Sequence, residues 1–204
     1  MGISERKERE KSEMRELVLK TALKLFIENG YDNVSIRKIA NAIEYSPGTI
    51  YLYFRDKDEI FFELHDRAFK EFYAYQLSSQ NIKDPLERIQ AHGMAYVEFA
   101  LKNPELYDLM FISLIPAKKI KECHEWIQGQ QTFDLLKKNV QDCIDAGYYK
   151  GSGVDVVAFA LWSYVHGIAS LIIRERMQLL PKEVIQGLIA GAFQFLEGLS
   201  KGSK

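Results

Sequence analysis

Apolar residues recur at intervals of three and four along almost the whole chain, and the strict alternation that marks strands is nearly absent. This periodicity predicts an all-α protein. A first helix is expected over about 10–29, with Val18, Ala22, Leu25 and Phe26 on one face and Gly30 as its stop. Ser35 is placed to cap a short second helix over 36–43, whose buried stripe is Ile36, Ile39, Ala40 and Ile43. Glu44, Tyr45 and Ser46 follow. Ser46 then caps a third helix with Pro47 at its first position, where the missing N–H costs nothing, and this helix ends near Tyr53. Asp56 caps a longer fourth helix reaching to about Leu77, with Ile60, Leu64 and Phe72 facing inward.

Further along, Asp84-Pro85-Leu86-Glu87 has the form of a capping box and opens a helix to about 102. Asn103-Pro104 opens another, closed by Pro116. A long helix is predicted over 118–146, broken by Gly147 and the turn Gly151-Ser152-Gly153. Two last helices cover about 154–178 and 181–199, for about nine in total. The pattern divides the chain into a small N-terminal domain, 1–57, and a larger helical domain, 58–204.

Two short helices joined by a three-residue turn, behind a longer supporting helix, form the unit that offers its last helix to the DNA major groove. The stripe of the second helix, with Ile50 and Phe54 of the third, can share a core with Leu25 and Phe26. That leaves Pro47, Gly48, Thr49, Leu52 and Tyr53 on the outer face. Gly48 allows close approach of the helix N-terminus to DNA, and the free N–H groups there favour phosphate. Thr49 suits a phosphate or a thymine methyl, and Tyr53 and Lys57 suit the backbone. Arg37 has the fork that pairs with guanine. By spacing alone, Tyr51 reads as a packing residue.

Charge alters this picture only slightly. The formal net charge is −1; residues 1–57 carry 11 basic against 9 acidic side chains, and the remainder 16 against 19. The sign of the asymmetry fits a polyanion at the N-terminal side. The arm bearing Arg6, Lys7, Arg9 and Lys11 is interleaved with Glu5, Glu8 and Glu10 and reads as a solvated helix extension. Cys123 and Cys143, on one predicted helix, are separated by about 30 Å and cannot pair within the chain. A reduced, cytoplasmic setting is expected, and the charged N-terminus lacks the apolar run of a signal peptide. The stretch 154–173 is apolar enough to mimic a membrane span, but Asp155, Ser163, Tyr164, His166 and Ser170 favour a buried helix, so no membrane partner is expected.

The ordered segments Ala22-Leu23-Lys24-Leu25-Phe26, Gly30-Tyr31, Ser35-Ile36-Arg37-Lys38-Ile39-Ala40 and Ser46-Pro47-Gly48-Thr49-Ile50-Tyr51-Leu52-Tyr53-Phe54-Arg55-Asp56-Lys57 resemble the DNA-binding domain of the TetR family of regulators. The resemblance implies a protein of nine or ten helices that binds double-stranded DNA as a homodimer. It also implies a C-terminal domain that dimerises and takes a small-molecule effector. Carried over by position, the DNA contacts are Arg37, Ser46, Pro47, Gly48, Thr49, Tyr51, Tyr53 and Lys57. One departure is Glu44, at a turn position the family often fills with glycine.

In the larger domain the last two helices are apolar on more than one face, which requires burial on two sides. Val157, Leu161, Val165 and Ile168 of the first, and Leu188, Gly191, Ala192 and Phe195 of the second, are the expected dimer interface of a four-helix bundle. Aromatic and sulfur side chains in the middle helices, Tyr96, Phe99, Tyr107, Met110, Phe111, Trp126 and Phe133, with Trp162 and His166, are candidates for lining an effector pocket. Their chemistry favours an apolar or aromatic ligand. The run around Trp162 and His166-Gly167 is similar to a pattern in one TetR subgroup. Metal-binding, phosphate-loop and nucleophile-elbow motifs are absent from the sequence, so neither an enzyme nor a cofactor is expected. The reading is a ligand-responsive regulator, most simply a repressor of a palindromic operator; the alternative is an architectural or cell-division factor on the same scaffold without effector control.

Overall fold

The computed structural model describes residues 2–112, 127–177 and 179–200. Among them are nine α-helices, two short 3-10 turns and no strand, as the periodicity requires. The helices are α1 (Ile3–Asn29), α2 (Ile36–Ala42), α3 (Pro47–Tyr51), α4 (Lys57–Leu77), α5 (Pro85–Lys102), α6 (Pro104–Phe111), α7 (Ile127–Asp145), α8 (Val154–Ile173) and α9 (Lys182–Ser200). They form two units. The first comprises residues 2–67 with 109–112, and the second residues 68–108 with the described residues from 127 onward.

Local chemistry explains the starts of four helices, α2 to α5. The Ser35 hydroxyl accepts from the Lys38 N–H at 3.2 Å, Ser46 from Thr49 N–H at 3.2 Å, and Asp56 from Glu59 N–H at 2.7 Å. Asp84 accepts from both Leu86 and Glu87 N–H at 2.9 Å. Each satisfies a donor that the helix itself leaves open. Helix α1 begins seven residues before the expected start, at Ile3. No apolar stripe marks that extension; it is supported by pairs one turn apart, Arg6 with Glu10 at 2.8 Å and Arg9 with Glu13 at 3.5 Å.

Other boundaries also differ from expectation. Helix α6 closes at Phe111, short of Pro116, and α8 closes at Ile173 where the charged run Arg174-Glu175-Arg176 ends its apolar pattern and Glu175 turns left-handed (φ 54°). The expected start of the long helix at 118, together with Cys123, His124 and the candidate Trp126, lies outside the described residues; Ile127–Asp145 is its described part. The first turns of α4, expected with the larger domain, belong to the N-terminal unit. Ile60, Phe61 and Leu64 are buried there, and the Phe61 ring lies 5.5 Å from Phe26 and 5.0 Å from Tyr31.

The second unit is built around Leu86 and Ile89 of α5, Leu136, Val140 and Cys143 of α7, and Val157 and Ala158 of α8. The Cys143 thiol donates to the Pro85 carbonyl at 3.1 Å and is pushed up to about 11 by burial, which makes it a packing group and a poor nucleophile. Gly93 is required by the close approach of α9: a Cβ there would stand 2.8 Å from the Phe193 ring.

This packing corrects the expected dimer face. Val157, at 7% exposure, and Val165 are buried within the chain's own core, Leu161 packs against that core, and Ile168 is half-buried. The uncovered apolar residues of α8 are Val156, Phe159 and Leu171, on the opposite side of the helix. On α9, Leu188, Gly191 and Phe195 are exposed together with Val184 and Leu199, while Ala192 is half-buried and its carbonyl accepts the Tyr164 hydroxyl at 3.0 Å. Helix α8 carries apolar residues on both sides and only 22% of its apolar window is buried, so the expected buried helix is covered on one side only. Hydrophobicity alone therefore does not tell its inner face from its outer one.

Candidate nucleic-acid interface and inner polar cluster

The helix-turn-helix begins with α2, whose Ile36, Ile39 and Ala40 are buried, and passes through a tight turn in which Glu44 is left-handed (φ 60°). The turn closes by Tyr45 N–H donating to the Ala40 carbonyl at 3.0 Å. Helix α3 then enters the core by Ile50, and Phe54 follows it inward. The opposite face carries Gly48, Tyr51 at 57% exposure and Leu52 at 77%. Tyr51 is thus a surface residue, contrary to the packing role its spacing indicates. Pro47, Thr49 and Tyr53 are half-buried, and the Thr49 hydroxyl lies 3.1 Å from that of Ser46, within the cap. Arg37 is exposed on the first turn of α2.

Lys57 is placed differently from its expected phosphate role. Its ammonium donates to the carbonyls of Tyr31 and Val34, each at 2.8 Å, and lies 3.8 Å over the Tyr31 ring. Burial pulls its pKa down. The Tyr31 hydroxyl in turn donates to Asp58, and burial followed by that carboxylate pushes the phenol up. These contacts fasten the start of α4 to the link between α1 and α2.

Sequence reasoning missed Arg15. From α1 it donates to the Tyr53 carbonyl at 2.7 Å, pairs with Glu63 of α4, and sits 4.3 Å over the Phe54 ring. Arg67 extends the set, reaching Glu63 and Glu16 at 2.7 Å each. Hydrogen bonding from Arg67 holds the Glu16 carboxyl below its usual range. The signal was an arginine one turn before the Val18–Leu19 core, which reads equally as solvated surface.

Among the candidates for the effector pocket, Tyr96, Tyr107, Phe133, Trp162 and His166 come together. Tyr107 and Tyr96 place their hydroxyls 2.7 Å and 3.1 Å from His166 Nδ1. The Tyr107 and His166 rings stack at 5.5 Å, and Trp162 lies 5.9 Å from Phe133 and 6.5 Å from His166. Burial pushes the Tyr107 phenol up to about 12, raises Tyr96, and lowers His166, so the cluster is uncharged at neutral pH. Phe99 is fully buried and packs on Phe72 and Tyr75 at 5.0 Å and 5.4 Å, which makes it core. Met110 and Phe111 fall in the N-terminal unit, where the Met110 carbonyl accepts from the buried His65.

A second polar cluster was not foreseen. Arg88 donates to Asp142 at 2.5 Å, to the Ile82 carbonyl at 3.0 Å and to the Asn139 Oδ1 at 3.2 Å, and the Asn139 amide lies 3.3 Å from His92 Nδ1.

Comparison with known proteins agrees with this arrangement. Residues 18–64 match the model of bacterial regulatory proteins of the tetR family, and residues 89–190 match that of the tetracyclin repressor-like C-terminal domain. The chain is 24% identical over 159 residues to the HTH-type transcriptional regulator HbdR of Aromatoleum sp. (strain CIB), covering 77% of this chain and 69% of that protein. It is 26% identical over 144 residues to the HTH-type transcriptional regulator AcrR of Shigella flexneri, covering 67% of each. The structure of the fatty acid degradation regulator FadR from Bacillus halodurans superposes with a TM-score of 0.71 at 17% identity, over 89% of this chain and 93% of that one. With one family model on the helix-turn-helix and another on the helical domain behind it, this chain belongs to the TetR family of transcriptional regulators.

Proposed function

We propose that this chain is a ligand-responsive repressor that grips a palindromic operator as a homodimer and is released by a small, uncharged, apolar or aromatic effector. DNA reading is assigned to residues 1–57, and effector binding and dimerisation to 58–204. The observation that carries the reading is the outer face of α3. Leu52 and Tyr51 stand in solvent, and a Cβ at Gly48 would meet only the Ser46 hydroxyl, at 3.5 Å. Gly48 is the second residue of α3, where the helix itself gains nothing from glycine. Nothing among the described residues requires it there, whereas close approach of a phosphate backbone to the helix N-terminus would. Arg37 is assigned to a base edge, and Ser46, Pro47, Thr49, Tyr51 and Tyr53 to phosphate and sugar contacts.

Dimerisation follows from the uncovered stripes. Phe159 of α8 and Leu188 and Phe195 of α9 form apolar faces that solvent disfavours and a two-fold copy would cover. Two recognition helices must stand about 34–36 Å apart to enter successive major grooves. The effector acts by preferring the state with the wrong separation, reached through α4.

The test is operator selection from random duplexes, followed by sedimentation and anisotropy. Wild type is expected to be a dimer at micromolar concentration and to select a two-fold symmetric site. Leu188→Glu with Phe195→Glu is expected to be monomeric and to bind at least about 100-fold more weakly, through loss of bivalency. A monomeric wild type, or one that ignores every duplex at low salt, overturns the reading.

A further inference from the structure

His92 lies on α5, one turn before Tyr96, and is 3% exposed. Its hydrogen bonding is fixed by a chain of donors. Arg88 has only N–H groups to offer, so the Asn139 atom facing it must be the carbonyl oxygen. The Asn139 amide is then left to donate to His92 Nδ1 at 3.3 Å. With Nδ1 accepting, the ring proton of a neutral His92 resides on Nε2. That Nε2–H is buried and has no hydrogen-bond partner among the described residues. Native interiors rarely leave such a donor unanswered.

The helix faces that carry this bridge adjoin the apolar core, and its one cation is paired. Ile89 and Leu136 of the core flank His92 and Asn139 in sequence, and the Arg88 cation is matched by Asp142 at 2.5 Å. Burial lowers His92 to about 4, so it stays neutral at physiological pH. A carboxylate accepting from this neutral N–H would find the nearby Arg88 cation already paired with Asp142, a poor exchange for its hydration. A ligand cation would meet an N–H. An uncharged oxygen acceptor meets neither objection.

We infer that His92 is an effector-binding residue whose Nε2–H donates to a carbonyl oxygen of an uncharged ligand, of the ketone, ester, thioester or amide class, carried on an apolar or aromatic body. The inference rests on the reading of the larger domain as the effector domain and narrows its ligand class. Tyr96, one turn further along α5, opens the Tyr96–Tyr107–His166 cluster, and against these rings we place the ligand body.

The first test needs no ligand. In the full-length protein labelled with 15N-histidine, long-range correlation spectra are expected to show His92 as the Nε2–H tautomer; an Nδ1–H tautomer overturns the proposal. The second titrates acetophenone, ethylbenzene and benzoate against wild type, His92→Leu and His92→Gln. Glutamine keeps a donor near the ε position. Acetophenone is expected to shift the His92 resonances, to bind about tenfold more weakly to His92→Leu, and to bind His92→Gln within about threefold of wild type. Ethylbenzene is expected to bind all three alike, and benzoate more weakly than acetophenone. Acetophenone leaving the His92 signals unmoved, or binding His92→Leu as well as wild type, overturns the proposal even if it releases the operator. His92 responding as expected without operator release overturns the effector reading instead and leaves the site standing.

Discussion

The guanidinium of Arg15 donates to the main-chain carbonyl of Tyr53 at 2.7 Å, so a side chain of α1 holds the residue that follows the C-cap, Leu52, of the recognition helix. The same group pairs with Glu63 and covers the Phe54 ring. It is a positioning residue: it fixes the exit of α3 relative to α1 and α4 from a half-buried site where solvent screens it incompletely. Arg15→Ala is expected to lower stability by about 1–3 kcal/mol, measured by urea unfolding, and to weaken operator binding at temperatures where the variant is folded. Arg15→Lys should recover less than half of the loss, since an ammonium cannot fork between a carbonyl and a carboxylate while lying flat on a ring. Full rescue by lysine would show that charge alone matters.

Lys57 and Arg37 separate fastening from the proposed reading of DNA. Removing the Lys57 ammonium strands two carbonyls, so Lys57→Ala is expected to lower the urea midpoint by an amount equivalent to about 1–3 kcal/mol. Its effect on the salt dependence of DNA binding should be small. Arg37→Ala should leave stability within about 0.5 kcal/mol and cost about 1–3 kcal/mol of binding, concentrated at one base pair. A loss of one unit in salt slope from Lys57→Ala, with unchanged stability, would return that lysine to the phosphate backbone.

The turn between α2 and α3 holds Glu44 at φ 60°. A left-handed residue other than glycine carries roughly 1–2 kcal/mol of strain, and glycine's extra freedom in the unfolded chain offsets much of that. Glu44→Gly is therefore expected to leave the thermal midpoint unchanged or slightly raised. Glu44→Val, branched at Cβ, should lower stability by about 1–2 kcal/mol. A valine variant as stable as wild type would contradict the left-handed turn.

Acid sensitivity follows from His65 and His92, each lowered by burial from about 6.5 to about 4. A histidine depressed in the folded state stabilises above its unfolded pKa and loses that contribution as pH falls through the window from 6.5 to 4. Between pH 7.5 and pH 5 each should remove roughly 2 kcal/mol, read as a falling urea midpoint. His92→Gln should flatten that fall by about half; an unchanged profile would mean that His92 is hydrated in the folded protein.

The first four helices and most of their caps were legible in the sequence because they rest on contacts within four residues: Ser35 with Lys38, Ser46 with Thr49, Asp56 with Glu59. Patterns of that range are written in adjacent letters, and they also made the family resemblance readable. The candidate DNA-facing residues of α3 and its exit were found the same way, by setting aside the inward Ile50 and Phe54.

What only tertiary structure decided was the partner of any side chain that had more than one apolar face or more than one polar option. Helix α8 offers Val157 and Phe159 with similar hydrophobicity, and only its packing on α5 and α7 buries the first and uncovers the second. Lys57 has the composition of a phosphate contact, yet the carbonyls that hold it come from residues more than twenty positions away. The tautomer of His92 depends on Arg88 through Asn139, a bridge from α5 to α7 and back. Sequence set which residues form helices, because helical hydrogen bonds and caps are local; the fold chose what each helix touches, because burial is settled by neighbours distant along the chain.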